Sequence, residues 1–157
     1  MTKQTPQTLD LTDPSSACLC NAMRKAARAV TQRYNHALAP CGLTATQFTL
    51  LTALNRTGPA PLTALAERLV TDRTTLTRNA AILEKAGLIA IRSGEDRRQR
   101  ALTITAAGRR RLTRALPLWH AIQSSIADEL GRKRSRNLLA GLSEVTLLEL
   151  DEAKTAP

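Results

Sequence analysis

Arg73, Thr74, Thr75 and Arg78 sit close together in the chain, and their side chains share one aptitude. Short hydroxyls let a surface approach closely, and a guanidinium pairs bidentately with guanine or grips a phosphate. Further on, Asp96-Arg97-Arg98 sets two guanidinium groups beside a carboxylate. Such a set can place one positive charge in a narrow minor groove while the acid orients it. Oxidisable sulfur is carried by Cys18, Cys20 and Cys41. Catalysis lacks its parts: no nucleophile with base and orienting group, no phosphate loop and no paired carboxylates appear at useful spacing, so no enzyme is expected. A metal needs three or four converging ligands. Two cysteines on opposing faces with His36 and His120 make a poor set, so neither metal nor cofactor is expected.

The element that must hold the first group is a helix over Arg73 to Ala86. At about 100° per residue, Leu76, Ala80 and Leu83 fall on one narrow apolar face, with Thr74, Arg78, Ala81 and Lys85 opposite. Ile82 is out of character near that polar side; contact with a thymine methyl and packing on a neighbour are both open to it. Asp72 or Thr71 caps the start, and Gly87 closes the helix as the residue after its C-cap. Upstream, Pro61 fits the first turn of a short helix whose Leu62, Leu65, Ala66 and Leu69 face inward, and Val70-Thr71-Asp72 makes the turn. Downstream, Leu88 to Arg92 and Ala101 to Ile104 read as two short strands with Ser93 to Arg100 between them. A hairpin so placed after a helix-turn-helix is a wing.

Composition points the same way. Aromatic residues are 2% of the chain, so the interior must be built from Leu, Ala, Ile and Val, a palette that favours helices. The formal net charge is +10, which draws a chain toward polyanions. Between Arg68 and Arg114 twelve Lys/Arg stand against four Asp/Glu, a surplus of eight in that stretch alone. Nucleic acid is preferred to membrane, since no apolar run reaches the roughly 18 residues of a span. The start of the chain lacks the apolar segment of a signal peptide, so a cytoplasmic protein with reduced cysteines is expected.

The remaining elements are helical. Residues 1–12 read as a flexible arm. Asp13-Pro14 begins a long helix ending near Ala39, striped by Cys20, Met23, Ala27, Val30, Tyr34 and Leu38 and stopped by Pro40. Thr44 with Gln47 has capping-box spacing and Leu43 with Phe48 staple spacing, fixing the start of a helix that ends near Gly58. Thr105 caps a long helix through Leu130 that Pro117 should kink. Arg132 to Arg136 leads into a last helix carrying Leu138, Leu142, Val145 and Leu148. Arg109-Arg110-Arg111 and the Arg132 to Arg136 patch read as solvated surface that adds nonspecific attraction.

This order of elements resembles the MarR (multiple-antibiotic-resistance regulator) family. The resemblance is carried by Leu83-Glu84-Lys85-Ala86-Gly87-Leu88-Ile89, Asp96-Arg97-Arg98, and Leu102-Thr103-Ile104-Thr105 with Gly108. It implies a mainly α fold, a winged helix-turn-helix over 41–104 with dimerisation helices over 13–40 and 105–157. It also implies a homodimer gripping a pseudo-palindromic duplex. Arg73, Thr74, Thr75 and Arg78 would then meet the major groove, with half-sites about 10 bp apart. Arg97 or Arg98 would enter the minor groove, the resemblance favouring Arg98 for a fixed role with Asp96.

Two kinds of effector are compatible with the sequence. Leu19-Cys20 followed fourteen residues later by Tyr34 is similar to the organic-peroxide-sensing branch of the family, where tyrosines hold an oxidisable sulfur. Two further tyrosines of that pattern are Arg24 and Ala45 here, and Arg24 offers a positive charge one turn from Cys20. The plainer expectation is that Cys20 is a small buried hydrophobe. Cys18, two residues back, points to the other side of the helix, and Cys20 cannot bridge to Cys41 within one chain across about 30 Å of helix, which leaves a bond between subunits open. The other effector is a small aromatic acid or lipophilic compound bound between the first two helices and the DNA-binding lobe. The function expected is a dimeric, effector-responsive repressor; a constitutive architectural DNA-binding protein is the alternative.

Overall fold

The computed structural model describes residues 18–93 and 100–152. The expected arm, the helix start at Asp13-Pro14 and the wing-tip residues Asp96, Arg97 and Arg98 lie outside them. The chain divides into a unit ending at Ala115 and a second beginning at Leu116.

In the first unit, helix α1 spans Leu19–Leu38. Its N-cap is Cys18, in extended conformation and without a side-chain cap hydrogen bond, so this helix begins at Leu19. A 3-10 turn over Ala39–Cys41 follows, with Pro40 inside it, and Gly42 reverses the chain at φ 63, a left-handed conformation that glycine adopts without penalty. Helix α2, Ala45–Thr57, opens on the anticipated capping box. The Gln47 amide donates to Thr44 Oγ1 at 3.3 Å and the Thr44 amide to Gln47 Oε1 at 3.0 Å. Leu43 and Phe48 are both buried beside that box, as a staple requires.

Pro61 does not enter the next helix. Ala60–Pro61 form a two-residue strand, β1, and Pro61 is the N-cap of α3, Leu62–Arg68. Helix α4, Arg73–Lys85, follows the turn, then β2, Ile89–Ser93, and β3, Arg100–Ile104. The sheet order is β1-β3-β2 and both pairings are antiparallel. Ile89 faces Ile104 and Ile91 faces Leu102, while Ala60 pairs Leu102 from the other edge. Proline is tolerated in β1 because that strand is at the sheet edge. The core gathers Leu50, Leu51 and Leu54 of α2, Leu65 of α3, Leu76 and Leu83 of α4, and Ile89 and Leu102 of the sheet, all essentially inaccessible.

Helix α5, Ala106–Leu130, starts in the first unit and continues past Pro117 into the second. There α6, Arg132–Glu152, is the last described element. Between them Gly131 adopts φ 87, and Arg132 pairs with Asp128 at 3.0 Å, an exposed contact worth little. No single described helix is long and apolar enough to cross a membrane.

Candidate nucleic-acid interface

Helix α4 is positioned from both ends. At its start the Asp72 carboxylate accepts from the Thr75 amide at 2.8 Å, and this negative cap also suits the positive end of the helix dipole. At its end the Gly87 amide donates to Glu84 O at 2.8 Å and the Leu88 amide to Leu83 O at 2.9 Å. That pair of bonds, with Gly87 at φ 68, is a Schellman motif. Between the ends, Leu76, Ala80 and Leu83 are buried, which fixes the rotation of the helix about its axis.

The opposite face is therefore open. Arg73, Thr74, Thr75, Arg78, Ala81 and Lys85 are all exposed. Among the described residues no carboxylate forms an ion pair with Arg73 or Arg78. The hydroxyl of Thr77 is occupied by Arg73 O at 2.7 Å and the Asn79 amide by Thr75 O at 2.9 Å. Among the described residues Thr74 forms no such bond, which leaves its hydroxyl to a partner. The helix thus offers two guanidinium groups and a free hydroxyl on a surface held rigidly from beneath.

The joint behind this helix explains Thr105 and Gly108. Thr105 Oγ1 donates to Gly87 O at 2.7 Å and accepts from the Gly108 amide at 3.0 Å, while the Thr105 amide donates to Leu88 O at 3.0 Å. One residue thereby caps α5 and ties it to the end of α4. A Cβ on Gly108 would lie 2.0 Å from Leu88 O, so only glycine permits this approach. Arg111, which the sequence suggests is solvated, instead donates through Nη1 to Cys41 O at 2.6 Å and fastens α5 to the segment after α1. The signal missed in the sequence is the unpaired carbonyl of a 3-10 turn 70 residues away. Asn35 is a second such residue: its Oδ1 accepts from the Ala45 amide at 2.8 Å.

The sulfur and its proposed helpers are arranged differently from expectation. Cys20 is exposed, not a core residue of its own chain, whereas Cys41 is buried. Cys18 is extended rather than helical, so helical geometry does not send it to the far side of α1. Fourteen residues of helix separate Cys20 from Tyr34 by about 21 Å, so that hydroxyl cannot reach that sulfur within one chain. Tyr34 is half-buried, and burial raises its hydroxyl above the usual 10.0. Arg24 is exposed one turn beyond Cys20. No group of three or more potential metal ligands occurs among the described residues.

A helix pair joined by a tight turn, with an open polar face on the second helix and a hairpin behind it, defines a winged helix-turn-helix DNA-binding protein. Comparison narrows the class. The MarR family model matches residues 43–99. The uncharacterised HTH-type transcriptional regulator YwoH of Bacillus subtilis is 30% identical over 87 residues, covering 55% of this chain and 64% of that one. The match thus spans slightly under two thirds of that relative. Among solved structures, the M. tuberculosis transcriptional regulator MosR in complex with DNA is 36% identical, covering 88% of this chain and 99% of that one, with a TM-score of 0.74. The transcriptional repressor CouR bound to a 23-mer DNA duplex is 28% identical, covering 89% and 99%, with a TM-score of 0.77. CouR has also been solved bound to p-coumaroyl-CoA. The chain belongs to the MarR family.

Proposed function

We propose that the protein is a homodimeric transcriptional repressor that holds a pseudo-palindromic duplex and releases it when a small molecule or an oxidant binds or reacts. The observation that carries this reading is the exposed face of α4, where Thr74, Thr75 and Arg78 stand uncovered in a chain of net charge +10. In the complex, Arg73, Thr74, Thr75 and Arg78 contact bases and phosphates of the major groove. Arg97 or Arg98, oriented by Asp96, enters the minor groove. The apolar residues left open on α1 and α6, among them Val30, Leu138 and Leu142, meet a second copy of the chain. The DNA complexes of MosR and CouR support the first part, and the CouR ligand complex supports a small-molecule effector. The exposed Cys20 supports the oxidant alternative.

The test begins by selecting duplexes from a random pool with the full-length protein and measuring affinity by fluorescence anisotropy across a salt series. A preferred duplex with two half-sites about 10 bp apart is expected, and Arg78→Ala should weaken binding at least about tenfold, within the 1–3 kcal/mol of a base contact. Selection of no preferred sequence would replace the repressor reading with the architectural one. Adding an organic hydroperoxide to wild type and Cys20→Ser then separates the effectors. Release confined to wild type assigns the sulfur, and release of neither directs the search to small apolar acids.

A further inference from the structure

We propose that Ile82 is a sequence-reading residue that recognises the 5-methyl group of a thymine in the major groove. This rests on the DNA-binding reading above and names a specificity which that reading leaves undefined.

The observation is a contrast within one helix. The other large aliphatic residues of α4, Leu76 and Leu83, are 0% and 1% exposed, whereas Ile82 is 48% exposed. It does not belong to the buried stripe. On the helical wheel Ile82 falls within about 60° of both Thr75 and Arg78, and it lies roughly 6 Å along the axis from Arg78 and 10.5 Å from Thr75. It therefore extends the same line of side chains that faces the groove. Ala81 beside it is small and exposed, so nothing on that flank holds a surface away.

The chemistry selects the ligand. An exposed aliphatic group on a charged, DNA-facing helix gains nothing from phosphate and nothing from the donors and acceptors of guanine, cytosine or adenine. The apolar feature of the major groove is the thymine 5-methyl group. Isoleucine suits that contact because its β-branch leaves one dominant χ1 rotamer in a helix, so little freedom is lost on docking. Burying one methyl group contributes about 0.8 kcal/mol, which corresponds to roughly fourfold in affinity.

The experiment uses the full-length protein and the duplex it selects from a random pool. Each thymine is replaced in turn by deoxyuridine, which removes the methyl group and leaves every hydrogen bond in place. Wild type is expected to lose about fourfold at one position in each half-site, and about fifteenfold when both are replaced together. Ile82→Ala should bind the thymine and deoxyuridine duplexes equally, and repeating the selection with it should relax that base pair alone. Ile82→Val should keep most of the discrimination. Equal methyl sensitivity in wild type and Ile82→Ala, or none in either, overturns the assignment. Failure to select any duplex would strike the DNA-binding reading itself, so the two failures are distinguishable. Because Ile82 is half exposed, an unchanged melting temperature is expected for each variant and checks that folding is intact.

Discussion

Most aliphatic residues between Leu38 and Ala115, Val70 and Ile82 apart, and those on the helices outside that stretch meet opposite fates. Inside it, Leu50, Leu51 and Leu54 are wholly closed over by the chain's own side chains. Outside it, Leu19 on α1 and Leu130, Leu138, Leu139, Leu142 and Leu147 on α5 and α6 stay open. The first region, those two residues apart, satisfies its hydrophobic demand internally. The second leaves exposed apolar surface of the kind that marks an association site, and it corresponds to the part of the molecule proposed to meet a second chain.

Several substitutions would break or sharpen that contrast. The largest effect is expected at Gly108, where an added methyl group meets the Leu88 carbonyl at 2.0 Å and Ile104 at 2.8 Å. Gly108→Ala should cost about 3 kcal/mol in urea unfolding, while Gly141→Ala on α6, with nothing within 4 Å, should be neutral or gain up to about 1 kcal/mol. Equal effects at the two glycines would erase the distinction. Next, the double change Leu138→Glu and Leu142→Glu should raise the dimer dissociation constant at least about a hundredfold, or 2.7 kcal/mol, by sedimentation, with helix content held. A dimer that survives it would place the interface elsewhere. Thr105→Val removes the hydroxyl between α4 and α5 and should lower stability by about 1–2 kcal/mol. The smallest effect is a gain. Val70 occupies φ 45 after α3, where the Val70 amide donates to Glu67 O and the Thr71 amide to Ala66 O. This repeats the Schellman geometry of Gly87 with a β-branched residue at the glycine position. Val70→Gly should raise stability by up to about 1 kcal/mol, read as an upward shift in melting temperature.

What the sequence disclosed follows the range of the forces involved. The Thr44–Gln47 box, the Asp72 cap and the Gly87 stop were legible because each is completed within a few residues. The open face of α4 was legible because helical periodicity places Thr74 and Arg78 opposite Leu76 and Leu83. Strand β1 was not, since two residues carry no period and Ala60 pairs with Leu102, far along the chain. Pro61 suited a first helical turn equally well until that pairing held it extended. Arg111 looked like its neighbours Arg109 and Arg110, and only the fold brings Cys41 O within its reach. The stripe of α1 was legible as apolar, but periodicity cannot say whether the covering surface comes from the same chain. Cys20, on that stripe, was for the same reason expected to be buried and is exposed.

Thr105 and Gly108 have a mechanical consequence. The thirteen residues of α4 make a rod about 20 Å long, held at its far end by that joint as by a fulcrum. A swing of about 10° there carries Arg73 through roughly 3.4 Å, the height of one base pair. On the proposed function a tilt that small would leave the leading side chains of the helix one letter out of step with the text they read, and the buried Leu76, Ala80 and Leu83 are what hold the helix against it.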